Sequence, residues 1–344
     1  MAIDIHSDPR LDPRVRAFLA AMPATPPRDV ASRDTLLAEA ATPAARKSVE
    51  LLRSFMDRCD TEEAAPTAGL SVTTAQVVSR PEGNLINLRI VRPDTDAVVP
   101  CVYYIHGGAM TALSCFDGMY RSWARLIAGH GVAVVMVDFR NAVVPSSVPE
   151  VAPFPAGLRD CVSGLHWVIE RAPALGVDPS RIVVAGESGG GNLTIATALV
   201  LKEEGRLHLV RGLYALCPYL AGRWPQPEYP SSEEFNGVLL QLHDNRGAVG
   251  YGIEAFEARD PRAWPGFATV DDVRGFPPTV INVNECDPLR DEGIAFYRLL
   301  LAAGVRAKCR QVMGTAHGTE IFVLACPEIS RDTARDIAAL ATDP

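Results

Sequence analysis

The chain has 344 residues, 48% of them apolar and 22% charged, with a formal net charge of −8. That length holds one large α/β domain with an appendage, or two domains, and the composition is that of a soluble globular protein. Lys and Arg are scattered rather than clustered, which argues against nucleic acid or an anionic membrane as a partner.

Eight cysteines, at 59, 101, 115, 161, 217, 286, 309 and 326, form no C-x-x-C pair and no metal-finger spacing. They are expected to be reduced core residues of a cytoplasmic protein, with no metal site. The N-terminus "MAIDIHSDPR" is charged from residue 4 and lacks an apolar core, so no secretory signal is expected. The longest apolar stretches, such as 132–137, are far short of a membrane span.

In chain order, residues 1–70 are rich in Ala, Pro and charge, with helical spacing at 14–22 and 47–59 and no strand pattern. Runs of β-branched residues then predict strands at 72–78, 85–91 and 102–105. Strand and helix alternate from there: a strand at 132–137, a helix at 157–170, a strand at 182–185 and a helix from about 192. Strands at 209–216, 279–283 and 307–312 follow, with a helix at 294–303 between the last two. This rhythm predicts a mainly parallel sheet covered by helices on both faces. It is broken between Pro218 and Pro277, where a proline-rich stretch carries only a weak helical pattern at 238–256 and no strand. A stretch that long is expected to be a lid or cap insertion rather than plain loop.

Residues 183–200, "VVAGESGGGNLTIATALV", pack four glycines and one serine between two apolar runs. Glycine is unfavourable in strand and helix alike, so the cluster has a backbone role. Gly186-Glu187-Ser188-Gly189-Gly190 fits G-x-S-x-G, with a predicted strand before it and a predicted helix after it, the context of a nucleophile elbow. A phosphate loop is excluded because no Lys follows, and Thr194 stands where a dinucleotide fingerprint needs its last glycine.

A serine at neutral pH needs a base, and the base an orienting acid, in the chain order Ser, Asp or Glu, His. His317, flanked by Gly314 and Gly318 just past a predicted strand, is the expected base; His208 and His243 are expected to be structural or exposed. "NECDPLRDEG" offers Glu285, Asp287, Asp291 and Glu292 as acids. Asp287 lies between strand and helix, Glu285 is its rival, and Asp291 and Glu292 fall where a helix start explains them. "YYIHGGAM" ends an early strand in His106-Gly107-Gly108-Ala109, where glycines leave backbone N–H groups open to an oxyanion; Gly189 adds one more. His106 is expected to hold that loop.

"HGGA", "PFPAGLRDC", "GESGGGN", "FPPTVINVNECDPLRDEG" and "AHG" together resemble the hormone-sensitive-lipase family, the bacterial family IV carboxylesterases of the α/β-hydrolase fold. The resemblance runs from about residue 80 to the C-terminus. It implies Ser188 as nucleophile, Asp287 as acid and His317 as base. The amides of Gly108, Ala109 and Gly189 become the oxyanion donors, with Gly107 shaping the loop. It also implies residues 1–70 as a helical cap segment on a 71–344 catalytic domain, with 218–270 contributing to the cap. Three departures stand out: Ala109 replaces the family's third loop glycine, Glu187 and Gly189 replace Asp and Ala in the elbow, and residues 139–157 form a longer proline-rich loop.

The expected activity is a serine carboxylesterase on small esters of short-to-medium acyl chains, needing no cofactor and compatible with a homodimer. The same triad on a lactone, carbonate or amide is the alternative. A non-catalytic ligand-binding relative would have lost a triad member, and this chain keeps all three.

Overall fold

The computed structural model describes residues 8–21, 26 and 28–342. Eight strands build one sheet: β1 Leu70–Val78, β2 Leu85–Pro93, β3 Val99–Ile105, β4 Ala133–Asp138, β5 Val177–Glu187, β6 Gly212–Leu216, β7 Thr279–Cys286 and β8 Ala307–Ala316. Their order is β1-β2-β4-β3-β5-β6-β7-β8. Pairings β1–β2 and β2–β4 are antiparallel, and all pairings from β4 to β8 are parallel.

Alternation along the central strands divides the interior into two layers. In β3, Cys101, Tyr103 and Ile105 face one core, while Val102 and Tyr104 face the other; β4 and β5 repeat the pattern. The helices Ala156–Arg171, Gly189–Glu203 and Arg290–Ala302 cover the first face. Gly118–Ala128 and Pro327–Thr342 cover the second. Strands buried on both sides need apolar residues throughout, which is why β3 and β4 are fully buried.

The predicted strands are present, with shifted ends. One changes character: of the stretch 209–216, only Gly212–Leu216 pairs as a strand, and Leu207–Leu209 is a single 3-10 turn carrying His208. The weak helix at 238–256 is two short helices, Arg246–Tyr251 and Ile253–Glu257, divided at Gly252. Helices Arg33–Ala40, Gly118–Ala128 and Pro327–Thr342 lie outside the predicted set. The predicted helix at 14–22 is Pro13–Ala20, and Met22 lies outside the described residues.

The N-terminal helices pack beside the insertion after β6. Leu11, Val15 and Leu19 share a small core with Phe235, Val238, Cys286, Ala316 and Cys326. Val30 exchanges hydrogen bonds with the Asn245 side chain, donating at 2.8 Å and accepting at 2.9 Å, and Arg246 pairs with Glu39 at 2.7 Å. The backbone N–H of Asp12 donates to the carbonyl of Gly314 at 2.9 Å, near the end of β8 that leads to His317. All eight cysteines are free and seven are buried. Among the described residues, no helix is long and apolar enough to cross a membrane.

Candidate active site

Ser188 sits at the junction of β5 and the helix Gly189–Glu203 with φ 56° and ψ −120°, a conformation that costs roughly 1–3 kcal/mol and persists only where surroundings enforce it. Here they do. The Ser188 amide donates to Leu216 O at 2.9 Å, and its carbonyl accepts from Asn192 N at 3.0 Å and Tyr219 N at 3.1 Å. A Cβ on Gly186 would lie 2.4 Å from Gly190 O, and one on Gly190 would lie 2.0 Å from Ile105 O. The glycine cluster thus lets the elbow, its helix and β3 pack backbone to backbone.

Sequence-distant groups converge on the Ser188 hydroxyl. His317 Nε2 lies 2.9 Å from Ser188 Oγ, and His317 Nδ1 lies 2.8 Å from Asp287 Oδ2. The second oxygen of Asp287 accepts from the Leu289 amide at 2.8 Å, so the turn after β7 fixes the carboxylate. His317 follows β8, and its loop is held from below. Gly318 N donates to Asn284 Oδ1 at 3.3 Å, while the Asn284 amide donates to the Thr315 hydroxyl at 2.8 Å and to the buried Glu320 carboxylate at 3.0 Å. Burial raises the Glu320 pKa above the ordinary range.

The rival acids are engaged elsewhere. Glu285 Oε2 accepts from Gly314 N at 2.7 Å. Asp291 accepts from Ser231 N at 2.7 Å, and Glu292 accepts from Leu220 N at 2.6 Å and Trp224 Nε1 at 2.7 Å. Asp291 and Glu292 fall in the first turn of the helix Arg290–Ala302, as expected, and they also tie the insertion down onto it; Leu289 at the cap position makes no side-chain bond. Burial pushes the Glu292 carboxyl up to about 8.

The HGGA loop lies against the elbow. Gly108, Ala109 and Met110 follow one another with φ of 94°, 52° and 57°. A Cβ on Gly189 would stand 2.8 Å from Ala109 N and 2.7 Å from Met110 N, so the loop amides sit directly beside the residue after Ser188. The Gly107 amide is taken by Glu187 Oε1 at 2.6 Å and lies 3.0 Å from the Tyr120 hydroxyl, which leaves it shaping the loop rather than open to a ligand. His106 is fully buried, stacked on Phe139 at 4.2 Å, with Nδ1 2.9 Å from Gly107 O. His243 is half-buried, with Nε2 2.9 Å from Ser232 O.

Two groups at the site carried no sequence signal. Tyr104 and Tyr120 donate to the Glu187 carboxylate at 2.6 and 2.5 Å across long separations in the chain. Cys217, at φ 37°, has its sulfur within 4.8 Å of ligand atoms of Asp287 and His317. Together the three side chains could hold a metal ion.

The alpha/beta hydrolase fold family matches residues 102–321. The carboxylesterase NlhH of Mycobacterium tuberculosis is 33% identical over 246 residues, 70% of this chain and 73% of NlhH. Brefeldin A esterase, described as a bacterial homologue of human hormone sensitive lipase, superposes with a TM-score of 0.84 at 36% identity, covering 98% of this chain and 95% of that one. The chain belongs to the hormone-sensitive-lipase family of α/β-hydrolases. Esterase Est22, also solved with p-nitrophenol, is 59% identical with a TM-score of 0.98 over the whole of both chains. The ethyl acetate hydrolase of Pseudomonas putida is 28% identical over 253 residues, 72% of this chain and 74% of that enzyme. As a member of this family, the protein is a carboxylic ester hydrolase.

Proposed function

We propose that the protein hydrolyses small carboxylic esters of short-to-medium acyl chain length through an acyl-enzyme on Ser188. The observation that carries this reading is the line of hydrogen bonds from Ser188 Oγ to His317 Nε2, and from His317 Nδ1 to Asp287, at 2.9 and 2.8 Å.

In the first half-reaction Ser188 Oγ bonds to the ester carbonyl carbon while its proton passes to His317 Nε2. Asp287 keeps the other imidazole nitrogen protonated and stabilises the imidazolium. The carbonyl oxygen, now negative, is received by the amides of Gly108, Ala109 and Gly189. Collapse breaks the bond to the alcohol oxygen, which leaves with the proton from His317. A water then repeats the sequence on the acyl group, returning the proton to Ser188. The methyl of Ala109 stands beside the oxyanion and narrows the room for bulky groups.

The cap remains part of the proposal. The described residues of the N-terminal segment and the 218–270 insertion pack on each other and on the strand ends that carry Asp287 and His317, the arrangement of a lid that confines substrate and excludes water. Small acyl groups agree with the relative named for ethyl acetate. A series of p-nitrophenyl esters from acetate to palmitate tests substrate range: kcat/KM is expected to peak at the short end. A maximum at the longest chains would overturn it.

A further inference from the structure

The residue before the nucleophile is a buried acid that the mechanism above does not use. Glu187 is 1% exposed. Its Oε1 accepts from the Gly107 amide at 2.6 Å and the Tyr120 hydroxyl at 2.5 Å, and its Oε2 accepts from the Tyr104 hydroxyl at 2.6 Å. A Cβ on Gly107 would lie 2.4 Å from Oε1, so only glycine lets the carboxylate reach this amide. Immediately beyond, the backbone turns through three successive positive-φ residues, Gly108 to Met110, two of which are not glycine. Such a turn needs an anchor, and the anchored amide is the one just before it.

We infer that Glu187 is a positioning residue for the oxyanion hole: by gripping the Gly107 amide it sets the turn that aims the Gly108 and Ala109 amides at the reacting carbonyl. The inference rests on the acyl-enzyme reading of Ser188. It explains why a carboxylate sits where burial opposes it. Desolvation pushes the Glu187 carboxyl up to about 7, and its partners are donors, two hydroxyls and one amide. A neutral side chain here would cost less to bury. The anion gains by holding three donors on three elements, β3, the helix Gly118–Ala128 and the HGGA loop, in fixed relation to the elbow.

The test is Glu187→Gln, which keeps the shape and removes the charge. Kinetics with p-nitrophenyl acetate are paired with inhibition by a trifluoromethyl ketone, which adds to a nucleophilic serine and places an oxyanion in the hole. The variant is expected to lose at least tenfold in kcat with KM within twofold. The inhibition constant of the ketone should rise by the same factor as kcat/KM falls, while inhibition by p-nitrophenol stays unchanged. Unchanged kcat with only a lower Tm, or a fall in kcat that the ketone does not share, overturns the inference. Should Glu187→Gln fail to fold, Tyr120→Phe removes one of the same donors. Smaller, parallel losses in kcat and ketone binding then support the inference, and unchanged values refute it. The wild-type protein separates this from the broader reading, since failure of the ketone to inhibit it would count against Ser188 itself.

Discussion

Asp287→Asn replaces one oxygen by an NH₂ group without changing size, and the structure dictates which way the new amide points. Oδ1 of Asp287 accepts from the Leu289 N–H at 2.8 Å, and Oδ2 faces His317 Nδ1 at 2.8 Å. The asparagine must keep its oxygen toward the Leu289 donor, so its NH₂ is presented to His317. That imidazole nitrogen is then forced to accept, the proton moves to Nε2, and the nitrogen facing Ser188 Oγ at 2.9 Å can no longer take a proton. Stabilising the wrong tautomer costs about 10³–10⁴ in kcat, or roughly 4–5.5 kcal/mol of transition-state stabilisation. Steady-state kinetics on p-nitrophenyl acetate read the loss, and circular dichroism and Tm check that the fold is unchanged. Glu285→Gln is the paired control: its carboxylate serves the Gly314 amide, and the expected loss is under about tenfold. A mild Asp287→Asn beside a crippling Glu285→Gln would refute the assignment of the acid.

Other outcomes follow from the same contacts. Gly189→Ala places a methyl 2.7–2.9 Å from Met110 N, Ala109 N and Ala109 Cα, so it should displace the HGGA loop and lower kcat by more than about tenfold, read by the same ester assay. A variant with wild-type kcat would show that the loop has room. Glu292 is held protonated up to about pH 8, against an ordinary value of 4.5, so the folded state binds its proton more tightly than the unfolded one. Its contribution to stability is therefore full below about 4.5 and is lost as pH climbs toward 8, on the order of 3–5 kcal/mol. Thermal melts across that range should show the Tm of the wild type falling relative to Glu292→Gln as pH rises; a difference that is flat or that grows would contradict this. Deleting residues 1–60 should raise KM, lower kcat and promote aggregation, because it removes the Asp12–Gly314 hydrogen bond and uncovers Phe235, Val238 and Cys286. Kinetics and light scattering matching the full chain would make the segment a mere tail.

What the sequence made legible was the part whose chemistry is local. The elbow stands out because four glycines in six positions have no reason to interrupt a strand and a helix unless backbones must touch, and they do at Gly186 and Gly190. Asp287 and His317 were visible because each follows a strand by a residue, and parallel strands deliver their C-terminal ends to one edge. Helix Gly118–Ala128 was legible but unread: Asp117 stands at its N-cap position, and Tyr120, Trp123, Ala124 and Ile127 recur at helical spacing. Arg33–Ala40 shows almost no amphipathic stripe to announce it, with Leu36 its one buried residue. The Glu187 network lay beyond reach for a different reason. Its partners stand 67 to 83 residues away in the chain, and only β3, β5 and the intervening helix, once packed, bring Tyr104, Tyr120 and Gly107 to one carboxylate. The same holds for Asp291 and Glu292, whose position at a helix start points to capping while their hydrogen-bond partners, Ser231, Leu220 and Trp224, belong to the insertion.

Covalent capture of the intermediate tests the central claim most directly. The protein is mixed with p-nitrophenyl acetate, quenched in acid during the pre-steady state, digested and analysed by mass spectrometry. The account predicts a stoichiometric burst of p-nitrophenol and an acetyl group on the peptide carrying Ser188, with both absent from Ser188→Ala. Turnover that persists in Ser188→Ala, or an acetyl group trapped on another residue, would contradict it.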